Sequence, residues 1–343
     1  MVAIDEEATG RRRRRRPIRW VLTVLLLATA VVAGLLIWNR QQAAVAPEGC
    51  AVTPAGGKPV TMDIEQGSNA ATIAAVTISR GLPERALTIA LATSLQESKL
   101  RNLEGGDRDS LGLFQQRPSQ GWGTAQQIQD PVYSTNKFLD ALVKVPGYAR
   151  LPLTDAAQAV QKSGYPDAYA KHEANADMLA SALTGRAPAS FTCTVHQFST
   201  ADSAPAADSV SASPSPSAPG AGAAQLVTDR VRREFGRAVS AAPVTSTGAA
   251  TPSADPGASA ADTLALTPAP NASTDAGADA QLQSGWAVAQ WSVAHAQELG
   301  IGSVAFDGKA WRVDRSADGW KALPSATATD RVLVTVGMPT VKH

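Results

Sequence analysis

Glu97 closes an apolar run, "TIALATSLQE", and is followed at once by Ser98, a polar loop and the segment "GLFQQ" at 112–116. A carboxyl at the last turn of an apolar helix loses hydration of its charged form, which raises its pKa, and the C-terminal helix dipole disfavours a negative charge there as well. Such a group can keep a proton near neutral pH. It suits an acid that protonates the leaving oxygen of a glycosidic bond while positive charge develops on the sugar carbon. A lone glutamate at a helix end is also an ordinary solvated residue, so the neighbours must decide. In "GGDRDSLGLFQ", Asp107 and Asp109 offer a second carboxylate of the kind an inverting hydrolase holds about 6.5–9.5 Å from its acid, and they serve equally as solvated turn formers.

The elements that would position these groups are helical. "SNAATIAAVTISRG" has a cap residue at Ser68 or Asn69 and a stop at Gly81, and "PERALTIALATSLQE" opens with Pro83 at a first-turn position. Leu87, Ala90, Leu91, Ser94 and Leu95 then fall on one stripe, as a packed helix requires. "YSTNKFLDAL", "TDAAQAVQKS" and "DAYAKHEANADMLASALTG" give further helices, and strand signals are few. Residues 50–196 are therefore expected to form a mainly α domain.

Three blocks in that stretch, Glu97–Ser98, "GLFQ" from Gly112 to Gln115, and "AVQKSGYPDAY" from Ala159 to Tyr169, resemble the lysozyme-like superfamily of lytic transglycosylases and goose-type lysozymes. Members carry an E-S pair, a G-L-M-Q loop and an A-Y-N segment around a peptidoglycan-binding cleft. The resemblance covers about residues 67–185. It implies that Glu97 is the general acid and then the base, and that Ser98 orients it or contacts the peptide or acetamido groups of the substrate. It also implies that Gly112 lets backbone approach the sugar, that Leu113, Phe114 and Gln115 form the loop lining the glycan groove, and that Tyr169 supplies an aromatic hydroxyl to the cleft; the alternatives are a plain turn at Gly112, a core aromatic at Phe114 and a buried structural Tyr169. Phe114 replaces the family's Met, and Val160 and Gln161 stand where Tyr and Asn are usual. The Gln161 amide still reaches a sugar or Glu97, with altered geometry. Transglycosylases of this kind need one carboxylate, and neither they nor the lysozymes need a cofactor. Trp122, between two glycines, is either a sugar-stacking indole or a packed one.

The chain has 343 residues, enough for about two domains of roughly 100–200 residues each. Its net charge of +1 hides an asymmetry: residues 1–40 hold eight Arg, and the remainder is mildly acidic, which argues against a nucleic-acid partner. Arg11 to Arg16 precede the uncharged run at 20–38, bracketed by Trp20 and Trp38. At 1.5 Å per residue this run is about 28 Å long, close to a bilayer's hydrocarbon core. Residues 20–38 are expected to cross the membrane once, with 1–19 as a cytoplasmic basic tail and the rest outside. A cleaved signal peptide with "AVA" at 44–46 is the rival reading. Outside the membrane Cys50 and Cys193, which flank the helical block, are expected to pair; two separate thiols are the alternative.

Residues 197–223 and 241–281 are rich in Ala, Ser, Pro, Thr and Gly and are expected to be a disordered linker and a disordered insertion. Between and after them, 224–240 and 282–340 are expected to form a small α/β domain: helices at "LVTDRVRREFG" and "GWAVAQWSVAHAQELG", a hairpin turning at Asp307–Gly308, and the alternating strand "RVLVTV". This part resembles a C-terminal domain attached to several cell-wall hydrolases of high-GC Gram-positive bacteria. That domain is itself similar to zinc D,D-carboxypeptidase-like folds with a D-H-V-H-V closing strand. In "DRVLVTV" Arg331 and Leu333 occupy the histidine positions, and His172, His196, His295 and His343 do not rebuild zinc spacing, so no metal site is expected. The fold class expected is thus a mainly α lysozyme-like domain plus a small α/β domain, behind one N-terminal transmembrane helix.

The function expected is a membrane-anchored extracytoplasmic peptidoglycan glycosidase, with the alternative of a catalytically inactive wall-binding or scaffold protein. Its partners would be glycan strands, the bilayer through residues 20–38, and cell-wall proteins at the C-terminal domain. A channel is disfavoured because the single apolar run holds no polar pathway residue.

Overall fold

The computed structural model describes residues 46–198 except 55, 164 and 165, then 219–244, 263–269 and 278–337 except 326, together with 21, 22, 24–26, 29 and 31. Among the described residues no helix is long and apolar enough to cross a membrane, and the expected span at 20–38 lies for the most part outside them.

From Gly49 the chain forms β1 (Gly49–Val52) and β2 (Val60–Met62), then α1 (Ile64–Ser79) and α2 (Glu84–Glu97). α3 (Ala125–Ile128), α4 (Pro131–Leu142), α5 (Leu153–Gln161) and α6 (Glu173–Leu183) follow, and β3 (Phe191–Thr194) returns to β1. The second half runs α7 (Pro219–Phe235), β4 (Val239–Pro243), β5 (Thr263–Pro268), α8 (Ala278–Ala294), α9 (Ala296–Leu299), β6 (Ile301–Phe306), β7 (Lys309–Arg312), β8 (Lys321–Ala322) and β9 (Val332–Val336). The fold mixes helices with two antiparallel sheets, ordered β2-β1-β3 and β4-β5-β9-β6-β7-β8.

α1 runs through the core. Ala70, Ala71, Ile73, Ala74, Ala75 and Val76 are all buried, and the run of alanines lets neighbours approach it closely on several sides. It starts at Ile64, four residues before Ser68 and five before Asn69, the two caps expected. Asp63 is the N-cap, and its side chain and that of Gln66 close a reciprocal capping box that holds the first turn. Pro83 stands one place outside α2, in extended conformation, rather than in its first turn.

β1 is the central strand of its sheet, and Cys50 lies directly opposite Cys193 on β3. The two form the expected disulfide. The hairpin at Asp307–Gly308 is also as expected. Both residues have positive φ (46° and 67°), the conformation a two-residue turn needs to match strand twist.

The helical part and the α7–β9 part share a single compact unit. Glu48–His343 forms one compact unit with a continuous core. α8 packs against α1, α6 and β3, and its fully buried Gln290 explains the join: Nε2 donates to Ala182 O at 2.6 Å, and Oε1 accepts from Ser190 N at 3.0 Å and Phe191 N at 2.7 Å. Trp311 Nε1 donates to Cys193 O at 3.0 Å, and Trp320 Nε1 to Phe191 O at 2.9 Å. Each half satisfies polar groups that the other would leave bare.

The insertion expected to be disordered over 241–281 contains β5 and the end of β4. "TLALTP" alternates enough to bury Leu264 and Leu266 between β4 and β9, and the surrounding small residues mask it in any compositional average. α7 likewise begins at Pro219, inside the stretch expected to be a linker.

Candidate active site

α2 carries Glu97 on its last residue because the helix is apolar up to that point and its end is anchored from outside. Ser98, the cap residue, is 5% exposed, and its Oγ donates to Ser94 O (3.1 Å) and Leu113 O (2.8 Å). That second bond fastens the 112–116 loop to the end of α2. From the other side Gln161, the last residue of α5, donates its amide to Phe114 O at 2.9 Å. Leu111 and Gln116 exchange backbone bonds and close the loop. The three sequence blocks therefore meet, joined through main-chain carbonyls.

Glu97 is half-buried. Tyr169, in the short 3-10 stretch Pro166–His172, is fully buried, and its hydroxyl donates to Glu97 Oε1 at 2.7 Å. Burial, and then the bond to Glu97, raise the phenol above its ordinary range, so Tyr169 stays a neutral donor. Three residues on, His172 Nε2 meets Gln96 Oε1 at 3.1 Å, and burial lowers that imidazole's pKa below its ordinary value. The Gln96–His172 contact had no signal in the sequence, since neither residue belongs to any of the three blocks.

Several expected substrate contacts have other duties. Phe114 is fully buried and stacked on Phe138 at 4.6 Å between centroids, so it is a core residue and not a groove wall. Leu113 is equally buried. Gly112 has φ 71°, and a Cβ there would sit 2.7 Å from Ile128 O, so glycine is required by the packing of α3 rather than by a sugar. Gln115, itself at φ 47°, bonds Gly112 O at 3.3 Å and lies against Gly106. Ser98 and Gln161 hold the loop with the groups that were expected to touch substrate. Trp122 is half-buried, packed beside the core, and its carbonyl accepts from Tyr133 Oη at 3.3 Å.

The two loop aspartates are not equivalent. The Asp107 side chain is 93% exposed and 4.0 Å from Arg108. Asp109 bonds Arg117 Nε at 2.8 Å and both Ser119 N (2.8 Å) and Ser119 Oγ (3.0 Å), and these donors, Arg117 first, hold its carboxyl well below the usual range. Asp109 is thus a fixed anion bracing its loop.

Among the described residues no group of three or more His, Cys, Asp or Glu is placed to hold a metal ion, and β9 has Leu333 buried between β5 and β6. A cavity of about 410 Å³ lies at the far end of α2, beside Leu82, Glu84, Phe235 and Val288, and takes in none of the residues around Glu97.

The fold and this site describe a mixed α/β protein with a carboxyl–phenol pair at a helix terminus. A family model described as VldE, C-terminal domain, matches residues 221–331, less than half of the chain and away from Glu97. No curated protein matches the chain.

Proposed function

We propose that the chain is a peptidoglycan glycosidase of the lytic transglycosylase type, a helical lysozyme-like region braced by the α7–β9 half, with Glu97 as its acid and base. The observation that carries this reading is the half-buried Glu97 with Tyr169 donating to it at 2.7 Å, at the point where the E-S, "GLFQ" and "AVQ" blocks meet. Glu97 protonates the oxygen leaving the muramoyl anomeric carbon. It then takes the proton from the muramoyl 6-hydroxyl as that oxygen attacks the same carbon, so that the carboxyl returns to its starting state and an anhydro sugar is released. The engaged Asp109 and the solvent-facing Asp107 favour this one-carboxylate route over direct hydrolysis.

With residues 20–38 as an anchor, the unit would work just outside the membrane on glycan strands, and the α7–β9 half would meet cell-wall proteins or brace the helices. The test is clearing of purified wall by the full chain beside Glu97→Gln. Clearing by the wild type alone, with anhydro-muropeptides found by mass spectrometry, supports the reading; clearing by both removes Glu97 from it. A second reading, wall binding without cleavage, is favoured by Val160 and Gln161 standing where the resembled family has Tyr and Asn, with the Gln161 amide bonded to Phe114 O rather than directed at the Glu97 carboxyl. Wall pull-down without clearing by either protein would select it.

A further inference from the structure

Immediately after Glu97 and Ser98, two consecutive residues, Lys99 (φ 57°) and Leu100 (φ 62°), lie in the left-handed backbone region. A Cβ makes that region costly, and helices that end by turning this way usually place glycine just after the cap. Two non-glycine residues in succession persist only where the surroundings over-determine them.

The determinants come from another helix. Gln66 Nε2 donates to Lys99 O at 2.7 Å, and Asn69 Nδ2 donates to Leu100 O at 2.8 Å. The two donors are three apart on α1 and so share one face. Asn69 is only 7% exposed, and the Leu100 side chain is buried in the core. Just beyond, Arg101 pairs with Asp63 and Glu65, and Asn102 N donates to Glu65 Oε1 at 2.9 Å. Each of residues 99 to 102 is therefore tied to the start of α1. Were Lys99 and Leu100 to relax to right-handed φ, α2 would wind on past Ser98. The loop beyond would be redirected, and the helix end beside Glu97 would lose the bond from Ser98 to Leu113 that holds it in place against Tyr169.

We propose that Gln66 and Asn69 are positioning residues for Glu97, latching the strained Lys99–Leu100 turn that fixes where α2 stops. The proposal rests on Glu97 acting as the acid, but the coupling it asserts can be measured without turnover.

The experiment compares wild type, Asn69→Ala, and Asn69→Ala with Lys99→Gly, all as full chain. Tyr169 ionisation is followed by ultraviolet difference titration, with Tyr169→Phe as the reference. Asn69→Ala is expected to let the phenol ionise at lower pH and, on glycan, to cut kcat about tenfold or more with KM within about twofold. Lys99→Gly is expected to restore both, because glycine enters the left-handed region without a latch and the Lys99 side chain is exposed. An unchanged Tyr169 titration in Asn69→Ala, or a shift that Lys99→Gly fails to reverse, overturns the proposal. A wild type without glycan cleavage refutes the acid and leaves the titration to decide the latch. Should Asn69→Ala fail to fold, Lys99→Gly alone is expected to raise the thermal midpoint, and a lowered midpoint would show that the turn stores no strain.

Discussion

The hydroxyl of Tyr169 donates to Glu97 Oε1 at 2.7 Å across a separation of 72 residues, joining a 3-10 stretch to the end of α2. The bond orients one oxygen of the half-buried carboxyl.

Tyr169→Phe keeps the buried ring and removes the hydroxyl, and with it the bond to Glu97 and the one with Ser163. A hydrogen bond to a charged group contributes about 1.5–3 kcal/mol, so glycan cleavage is expected to fall by roughly 10- to 100-fold, with the thermal midpoint lowered and the fold retained. Initial rates beside a melting curve check it; a rate equal to wild type would remove Tyr169 from the site.

Phe114→Ala is expected to cost about 3–5 kcal/mol of folding stability, as truncation of a fully buried aromatic does. A urea midpoint measured without any glycan present checks it. Near-neutral stability combined with weakened wall binding would return Phe114 to the groove.

An ionic cluster built on the buried His295 and Glu234, with Glu298 at its exposed edge, makes stability depend on pH. His295 lies 3.6 Å from Glu234 Oε2 and 3.5 Å from Glu298 Oε2, while Arg230 pairs with both carboxylates. Trp291 Nε1 (2.7 Å) and Thr72 Oγ1 (3.0 Å) also donate to Glu234. Burial disfavours the His295 cation, but the two carboxylates outweigh it and hold the imidazole above its ordinary 6.5. For Glu298 burial works against the anion, and His295 with Arg230 nonetheless brings it down to about 2. The raised His295 contributes stability in full below 6.5, and that contribution is lost as pH rises through its elevated folded value. The depressed Glu298 contributes above 4.5, and its share is lost as pH falls through about 2. Urea midpoints are therefore expected to decline on the alkaline side in the wild type, and His295→Gln is expected to flatten that decline. An identical alkaline slope in both would sink the account.

A fragment holding only residues 50–196 is expected to fold poorly. It lacks Gln290, which serves Ala182, Ser190 and Phe191, and the α8 face that covers α1 and α6. Amide spectra with native-like dispersion from that fragment would show the halves to be separable after all.

Local chemistry was legible in the chain itself. An apolar stripe running to Glu97, the Asp307–Gly308 turn and the alternation in "RVLVTV" each depend on a few neighbouring residues, and each element appears where the sequence places it. Two cysteines flanking one block pointed to their disulfide. What only the tertiary structure decided depends on partners far apart in sequence. Phe114 is a core residue because Phe138 stacks on it, and Gln161 meets a carbonyl 47 residues away. The six residues of β5 become a strand because β4 and β9 flank them. Composition and periodicity describe a segment's own propensities. Whether a polar group faces substrate or a buried carbonyl is set by which distant backbone packs beside it, so Ser98, Gln161 and Asn69 disclosed their roles only in the folded chain.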